Sequence, residues 1–302
     1  MSNNSRGILY AAITASLWGF LAIALKIAVQ DLSPVTVVWF RFATAFIILA
    51  LATLIFSKKD FSIFRKPPLL LFAAGIFLGL NYLGFISGIG HVSPASAQVF
   101  IQIGPVSFAL SGILIFREKV NWKHLVGFIL VICGILLFYS EQLSMSGSGG
   151  RDFTLGMIMI LSGGVSWAVF ASLQKKLVRT YNTNQLNLFI YGLCAVLLLP
   201  FASFGNFPHL QINDWLLLFY LGLNTVLAYG SLALAIKLTE ANRVSVIITL
   251  NPILTFVTMV ILAKMKVPWI EPEQFTFYSI AGALTVLTGA IVVILAGRKR
   301  RS

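Results

Sequence analysis

Charge is what this chain has least of. Asp, Glu, Lys and Arg together make up 10% of its 302 residues, where a soluble globular domain carries about 25%. Hydrophobic residues make up 58%, and mean hydropathy is +0.92. A water-soluble fold of this size has too little polar surface to cover so much apolar side chain, so lipid is the solvent for most of the surface. Acids are the scarcest charges. The nine are Asp31, Asp60, Glu118, Glu141, Asp152, Asp214, Glu240, Glu271 and Glu273, and all fall in loops or at the ends of apolar runs. A deep carboxylate is the usual relay of a proton- or cation-coupled pump. Its lack argues against carboxylate-based proton antiport, favours facilitated diffusion or exchange, and disfavours multivalent cationic drugs as cargo.

Histidine and cysteine are scarce as well. His91, His124 and His209 are scattered, and Cys133 and Cys194 lie inside apolar runs. Neither an H-E-x-x-H nor a C-x-x-C spacing occurs, and no deep acid–base pair is present. A membrane-embedded enzyme is therefore not expected, and no cofactor or metal is called for.

What the chain has is long apolar runs. Crossing the hydrocarbon core takes about 20 mostly apolar residues as a helix, the one state in which a lone segment satisfies its own backbone in lipid. The runs are 7–29, 35–56, 69–90, 94–116, 125–140, 154–174, 185–204, 213–235, 242–263 and 276–296, the fifth being short. The expected fold is an all-α integral membrane protein of ten transmembrane helices.

Net charge is +13, yet the basic residues cluster in short loops, which points away from nucleic acid. With both termini placed on one side, 17 of the 22 Lys and Arg lie on that side, while the opposite loops hold Arg151, Lys264 and Lys266. The positive-inside rule puts both termini in the cytoplasm of a multi-pass cell-membrane protein. The expected partners are membrane lipids and a small-molecule substrate, in a monomer or homodimer.

The chain repeats itself. At a shift of 149 residues Gly7 falls on Gly156, Trp18 on Trp167 and Lys26 on Lys175. At 147, Gly75 falls on Gly222, Tyr82 on Tyr229, Pro105 on Pro252 and Trp122 on Trp269. After an insertion near 270, Gly127 meets Gly282 and Gly134 meets Gly289. The first run resembles a signal peptide, with Ala22-Ile23-Ala24 as a cleavage site, but its internal match argues for a retained helix. Residues 1–143 and 151–302 are read as two five-helix halves joined by a Ser/Gly linker at 144–150. Five is odd, so the halves are inverted repeats, an arrangement that supplies two near-equivalent states for alternating access.

Ser16-Leu17-Trp18-Gly19-Phe20, Trp39-Phe40-Arg41-Phe42, Pro105 and the helix end Phe116-Arg117-Glu118-Lys119 resemble the EamA family of the drug/metabolite transporter superfamily. The resemblance runs through both halves. It implies a ten-helix carrier that exports or exchanges metabolites, often amino acids, through a central cavity lined mainly by spans 1, 3, 4, 6, 8 and 9. Ile190 stands where Arg41 would repeat, and Met265 where Glu118 would, so any role of those two is present once.

Several residues stand out as candidates. Gln98, Gln102 and Pro105 share one face of the fourth span, and Ser245, Thr249 and Pro252 the matched face of the ninth. These stripes line a substrate path or glue helices together. Pro105 and Pro252 free the carbonyls of Ile101 and Ile248, giving a hinge or a static kink. Asn251 satisfies such a carbonyl or coordinates substrate. Trp18 and Trp167 sit mid-span, away from the interfacial belt, as cavity walls or core fillers; Asn81, Tyr82, Asn224 and Tyr229 read the same way. Lys26 and Lys175 near span ends either snorkel to the headgroups or gate the two mouths. Arg41 is deeper, where a cation costs roughly 2.5–3.5 kcal/mol. A carbonyl, headgroups or a substrate carboxylate compensates, and Arg41 is grouped with the lysines as a gating candidate. The spacings Gly75-x-x-x-Gly79 and Gly84-x-x-x-Gly88, with Gly127/Gly134 and Gly282/Gly289, mark close helix packing.

Overall fold

The computed structural model describes residues 3–115, 121–145, 149–239, 241–267 and 275–296, with the side chains of 241–243 and 245 left aside. The helix end Phe116–Lys119, the middle of the linker and the Ser245 side chain lie outside the described residues.

Among the described residues, twelve α-helices make up ten candidate spans. They are α1 (Asn3–Asp31), α2 (Pro34–Phe56), α3 (Leu69–His91), α4 (Pro94–Phe100), α5 (Ile103–Leu114), α6 (Trp122–Met145), α7 (Gly150–Leu177), α8 (Thr183–Leu198), α9 (Ile212–Leu238), α10 (Ala241–Ile248), α11 (Asn251–Lys264) and α12 (Phe277–Ala296). Spans four and nine are each broken in two. Ser33-Pro34 and Ser93-Pro94 start helices after turns of one or two residues: each serine oxygen accepts from the backbone N–H three residues on, and proline is tolerated in the first turn.

The fifth span is 24 residues long, not the short one expected. It continues through polar Ser140-Glu141-Gln142 because Ser140 Oγ bonds its own helix and Gln142 Nε2 donates to Ser279 Oγ at 3.0 Å. The linker shrinks accordingly, since Ser144 and Met145 end α6 and Gly150 begins α7.

Glycine sets the closest helix pairs. A Cβ on Gly134 would lie 2.7 Å from Val286 N, and one on Gly282 2.7 Å from Phe138 N, so α6 and α12 meet backbone to backbone. The α3–α7 pair does the same at Gly84 and Gly88 against Met159 O and Gly156 O, each 2.7 Å. Its symmetry mate is the α1–α9 pair, where Gly7 packs on Thr239 as Gly156 packs on Val92. Side chains facing outward are apolar, with Phe56, Leu69, Leu114 and Ile212 strongly exposed, as a lipid-facing surface requires. Gly134→Ala and Gly282→Ala together force backbone apart, at a cost of about 1–3 kcal/mol each. The expected result is a lower thermal midpoint in detergent, checked by fluorescence-detected size exclusion after heating.

Contacts define two faces. Thr239 Oγ1 donates to Asn4 Oδ1 at the start of α1, and Asn121 Nδ2 to Ala296 O at 2.9 Å at the end of α12; the face that an even number of spans gives these two helix ends is called the terminal face. On the opposite face Asn206 Nδ2 donates to Asp31 O at 2.8 Å, and His91 Nδ1 lies 2.7 Å from Asp152 Oδ1.

Candidate functional site

Both broken spans fail at matching places. Pro105 cannot bond the Ile101 carbonyl, which accepts from Gly104 N–H at 2.9 Å instead, and the helix restarts at Ile103. In the second half the chain turns at Thr249–Leu250, and α11 restarts at Asn251-Pro252. A side-chain bond joins the two breaks, Gln102 Nε2 to Asn251 Oδ1 at 3.2 Å.

A cavity of about 90 Å³ opens beside these breaks, space for several water molecules. Symmetry mates line it in pairs. Trp18 meets Trp167 and Tyr229 edge to face, at 6.3 and 5.5 Å between ring centroids, and Tyr82 and Tyr229 lie tilted to each other at 6.1 Å. Arg41, Asn81, Gln98, Gln102, Pro105 and Asn251 complete the polar and helix-break part of the wall. Ten of the sequence candidates are thereby brought together.

Two wall amides have a fixed orientation. Gln98 Nε2 donates to Trp18 O at 3.0 Å, and Gln102 Nε2 to Gln98 O at 3.2 Å. Because carbonyls only accept, each amide nitrogen is assigned by its partner. Both Oε1 atoms are then buried with no hydrogen-bond partner among the described residues. Most buried polar atoms are satisfied, so these two stand out, together with the Tyr82 hydroxyl of the same wall.

Arg41 is 3% exposed, on the cavity wall and not at a mouth. Its Nε–H donates to Thr225 Oγ1 at 3.3 Å, and its guanidinium carbon lies 4.4 Å from the Tyr82 ring centroid. Thr225 is a partner that sequence gave no sign of.

The other candidates lie elsewhere. Asn224 is buried and donates to Leu17 O at 3.0 Å, tying α9 to α1. Thr249 and Pro252 are buried away from the cavity wall. Lys26 does not snorkel. Its ammonium lies 3.0 Å from each of three carbonyls, those of Ile89, Gly90 and Val92 at the C-terminal end of α3. The last carbonyls of a helix lack intrahelical partners and carry its negative dipole end, so the lysine staples α1 to α3 on the face opposite the termini. Lys175, its mate, lies 5.8 Å from the Phe108 ring centroid and lines a vestibule of about 500 Å³. That vestibule shares Pro105, Trp167 and Ile248 with the cavity and reaches Arg179, Tyr181 and Lys237, beside the terminal face.

The profile of the EamA-like transporter family matches residues 5–140 and 154–295. The chain belongs to the EamA-like transporter family. Among its relatives is an uncharacterized transporter of Haemophilus influenzae, 31% identical over 288 residues that make up 95% of this chain and 94% of the relative. The uncharacterized inner membrane transporter YhbE of Escherichia coli K12 is 32% identical over 292 residues, 94% of this chain and 90% of that protein. A protein of known crystal structure that is 16% identical aligns over 99% of both chains with a TM-score of 0.66, which extends the likeness in fold. This EamA-like protein is thus a multi-pass membrane transporter with a ten-helix, two-repeat fold.

Its symmetry is broken in one respect. Vestibule residues Ala171, Gln174, Ala233 and Ile236 have as mates Ala22, Leu25, Ile86 and Ile89. The four mates are 0%, 0%, 1% and 0% exposed, whereas Ala171 and Ile236 are half-buried; Gln174 and Ala233, at 6% and 8%, differ little from their mates. At Ala171 and Ile236 the vestibule reaches positions whose mates are closed off.

Proposed function

We propose that this transporter moves a small zwitterionic or neutral metabolite, such as an amino acid or a related compound, by alternating access, as export or exchange. The observation that carries it is a vestibule on one face that reaches Ala171 and Ile236, while their mates Ala22 and Ile89 are fully buried. If the repeats exchange conformations, the mates of the vestibule residues come to line a second vestibule on the opposite face. The cavity between the two tryptophans then faces each side in turn. The positive-inside bias makes the open side cytoplasmic.

Lys26 and Lys175 serve as alternating latches in this scheme. The carbonyls held by Lys26 have as mates those of Ile236, Lys237 and Thr239. Ile236 and Lys237 line the vestibule together with Lys175. Closing the vestibule brings the Lys175 ammonium onto the C-terminal end of α9, while Lys26 leaves α3. The two breaks near Pro105 and Pro252 absorb the bend.

The test is counterflow in proteoliposomes preloaded with single solutes, screened over amino acids and related metabolites. The expected result is saturable uptake of labelled solute driven by the unlabelled solute inside. A flux that rises linearly with concentration and shows no counterflow indicates a pore, and no flux for any solute indicates a scaffold or receptor.

A further inference from the structure

Arg41 has a fork left over. Its Nε–H is engaged by Thr225 and its face by Tyr82, while neither terminal nitrogen makes a hydrogen bond to a described residue. No carboxylate reaches it either, since the described ion pair is the one between His91 and Asp152 on the opposite face. A guanidinium is a permanent cation whose planar pairs of N–H groups match the two oxygens of a carboxylate. The same wall carries the unpartnered Oε1 atoms of Gln98 and Gln102, each residue 2% exposed. They are acceptors in want of N–H donors.

We infer that the cargo is a small monocarboxylate. Its anionic oxygens sit on the terminal nitrogens of Arg41, and its own N–H donors meet the oxygens of Gln98 and Gln102. This rests on the transport reading of the same cavity and narrows it. A sugar-like neutral solute satisfies the amides but leaves the cation without a counter-charge. A cationic solute places two like charges in one small enclosure. A phosphate dianion calls for more positive charge than the wall holds, because Lys175, Arg179 and Lys237 belong to the vestibule and Ile190 stands at the position matching Arg41. One fork receives one carboxylate.

The experiment titrates the purified full-length protein in detergent with L-leucine, L-leucinamide and 4-methylpentanoate. Tryptophan fluorescence is the readout, since Trp18 and Trp167 stand in the wall. Both carboxylates are expected to bind at least about tenfold more tightly than the amide, as befits a charge-assisted pair. L-leucine is expected to bind more tightly than 4-methylpentanoate, which lacks the donor for the glutamines. Arg41→Gln removes the preference for a carboxylate, and Arg41→Lys, which keeps the charge without the fork, retains part of it. Equal binding of the amide, a preference that survives Arg41→Gln, or no binding by either carboxylate overturns the inference; the wild-type titration decides even where a variant does not fold. Counterflow of a solute lacking a carboxylate leaves transport standing and this assignment fallen. Carboxylate binding without counterflow of any solute does the reverse.

Discussion

Trp18→Ala is expected to lower the rate of counterflow per folded protein by roughly a hundredfold, and Gln102→Ala by at least about tenfold. Trp18 touches both Trp167 and Tyr229, so its loss removes a ring that packs the two repeats together at the cavity wall. The indole is also the largest apolar surface a cargo meets there, and aromatic pairs add about 0.5–1.5 kcal/mol beyond their area. Gln102 joins the two helix breaks through Asn251, and its Oε1 is buried without a hydrogen-bond partner among the described residues. Asn224→Ala is the control. It removes a buried tie between α9 and α1 and is expected to cost stability while leaving the half-saturation concentration of the surviving protein unchanged. Rates are compared at equal amounts of monodisperse protein, so a folding defect does not pass for a transport defect. If Trp18→Ala and Gln102→Ala both transport at the wild-type rate, the cavity is not the path.

The two lysines are expected to have opposite effects although they occupy equivalent positions. Hydrogen bonds to a charged group are worth about 1.5–3 kcal/mol each before competing water is counted, so a latch holding three carbonyls biases the two-state equilibrium by about tenfold or more. Lys26→Ala releases the side opposite the termini. In proteoliposomes of one orientation, half-saturation measured from that side falls about tenfold, and half-saturation from the terminal face rises. Lys175→Ala favours the arrangement already seen and reverses both changes. Equal effects of the two variants, or effects on maximal rate alone, contradict the latch.

Much of the site could be read from residue order. Trp18 with Trp167, and Tyr82 with Tyr229, fell at constant offsets because two copies of one bundle must put equivalent side chains beside their common axis, and there they meet. Gln98 and Gln102 were visible as one helix face, since a polar stripe in lipid has to turn inward. The glycines of α6 and α12 were visible because only a missing Cβ lets backbones approach so closely. What sequence could not carry was the difference between equivalent residues. Lys26 and Lys175 look alike in the chain. Lys26 holds the end of α3 and Lys175 lines the vestibule beside Phe108, a contrast that belongs to a conformational state and not to a residue type. Arg41 looked like a gate on depth alone; its place on the cavity wall follows from Thr225, a residue 184 positions away. Asn224 looked like a wall residue, yet a buried amide with a helix carbonyl in reach ties helices as readily as it binds a solute. The fifth span was read as ending at 140, and a local hydroxyl bond at Ser140 and a partner for Gln142 on α12 let it run on.

The central claim is that the sealed side opens as the vestibule closes, and Ile86 with Ala233 tests it most directly. They are symmetry mates, 1% and 8% exposed, and the second belongs to the vestibule wall. With Cys133 and Cys194 replaced by alanine, Ile86→Cys and Ala233→Cys are labelled in turn with a membrane-impermeant thiol reagent applied to either side of the membrane. The account predicts that Ala233→Cys reacts from the terminal face and Ile86→Cys from the opposite face, and that Lys26→Ala speeds the second reaction while slowing the first. Labelling of both cysteines from one face, or an Ile86→Cys that stays inert even without Lys26, contradicts it.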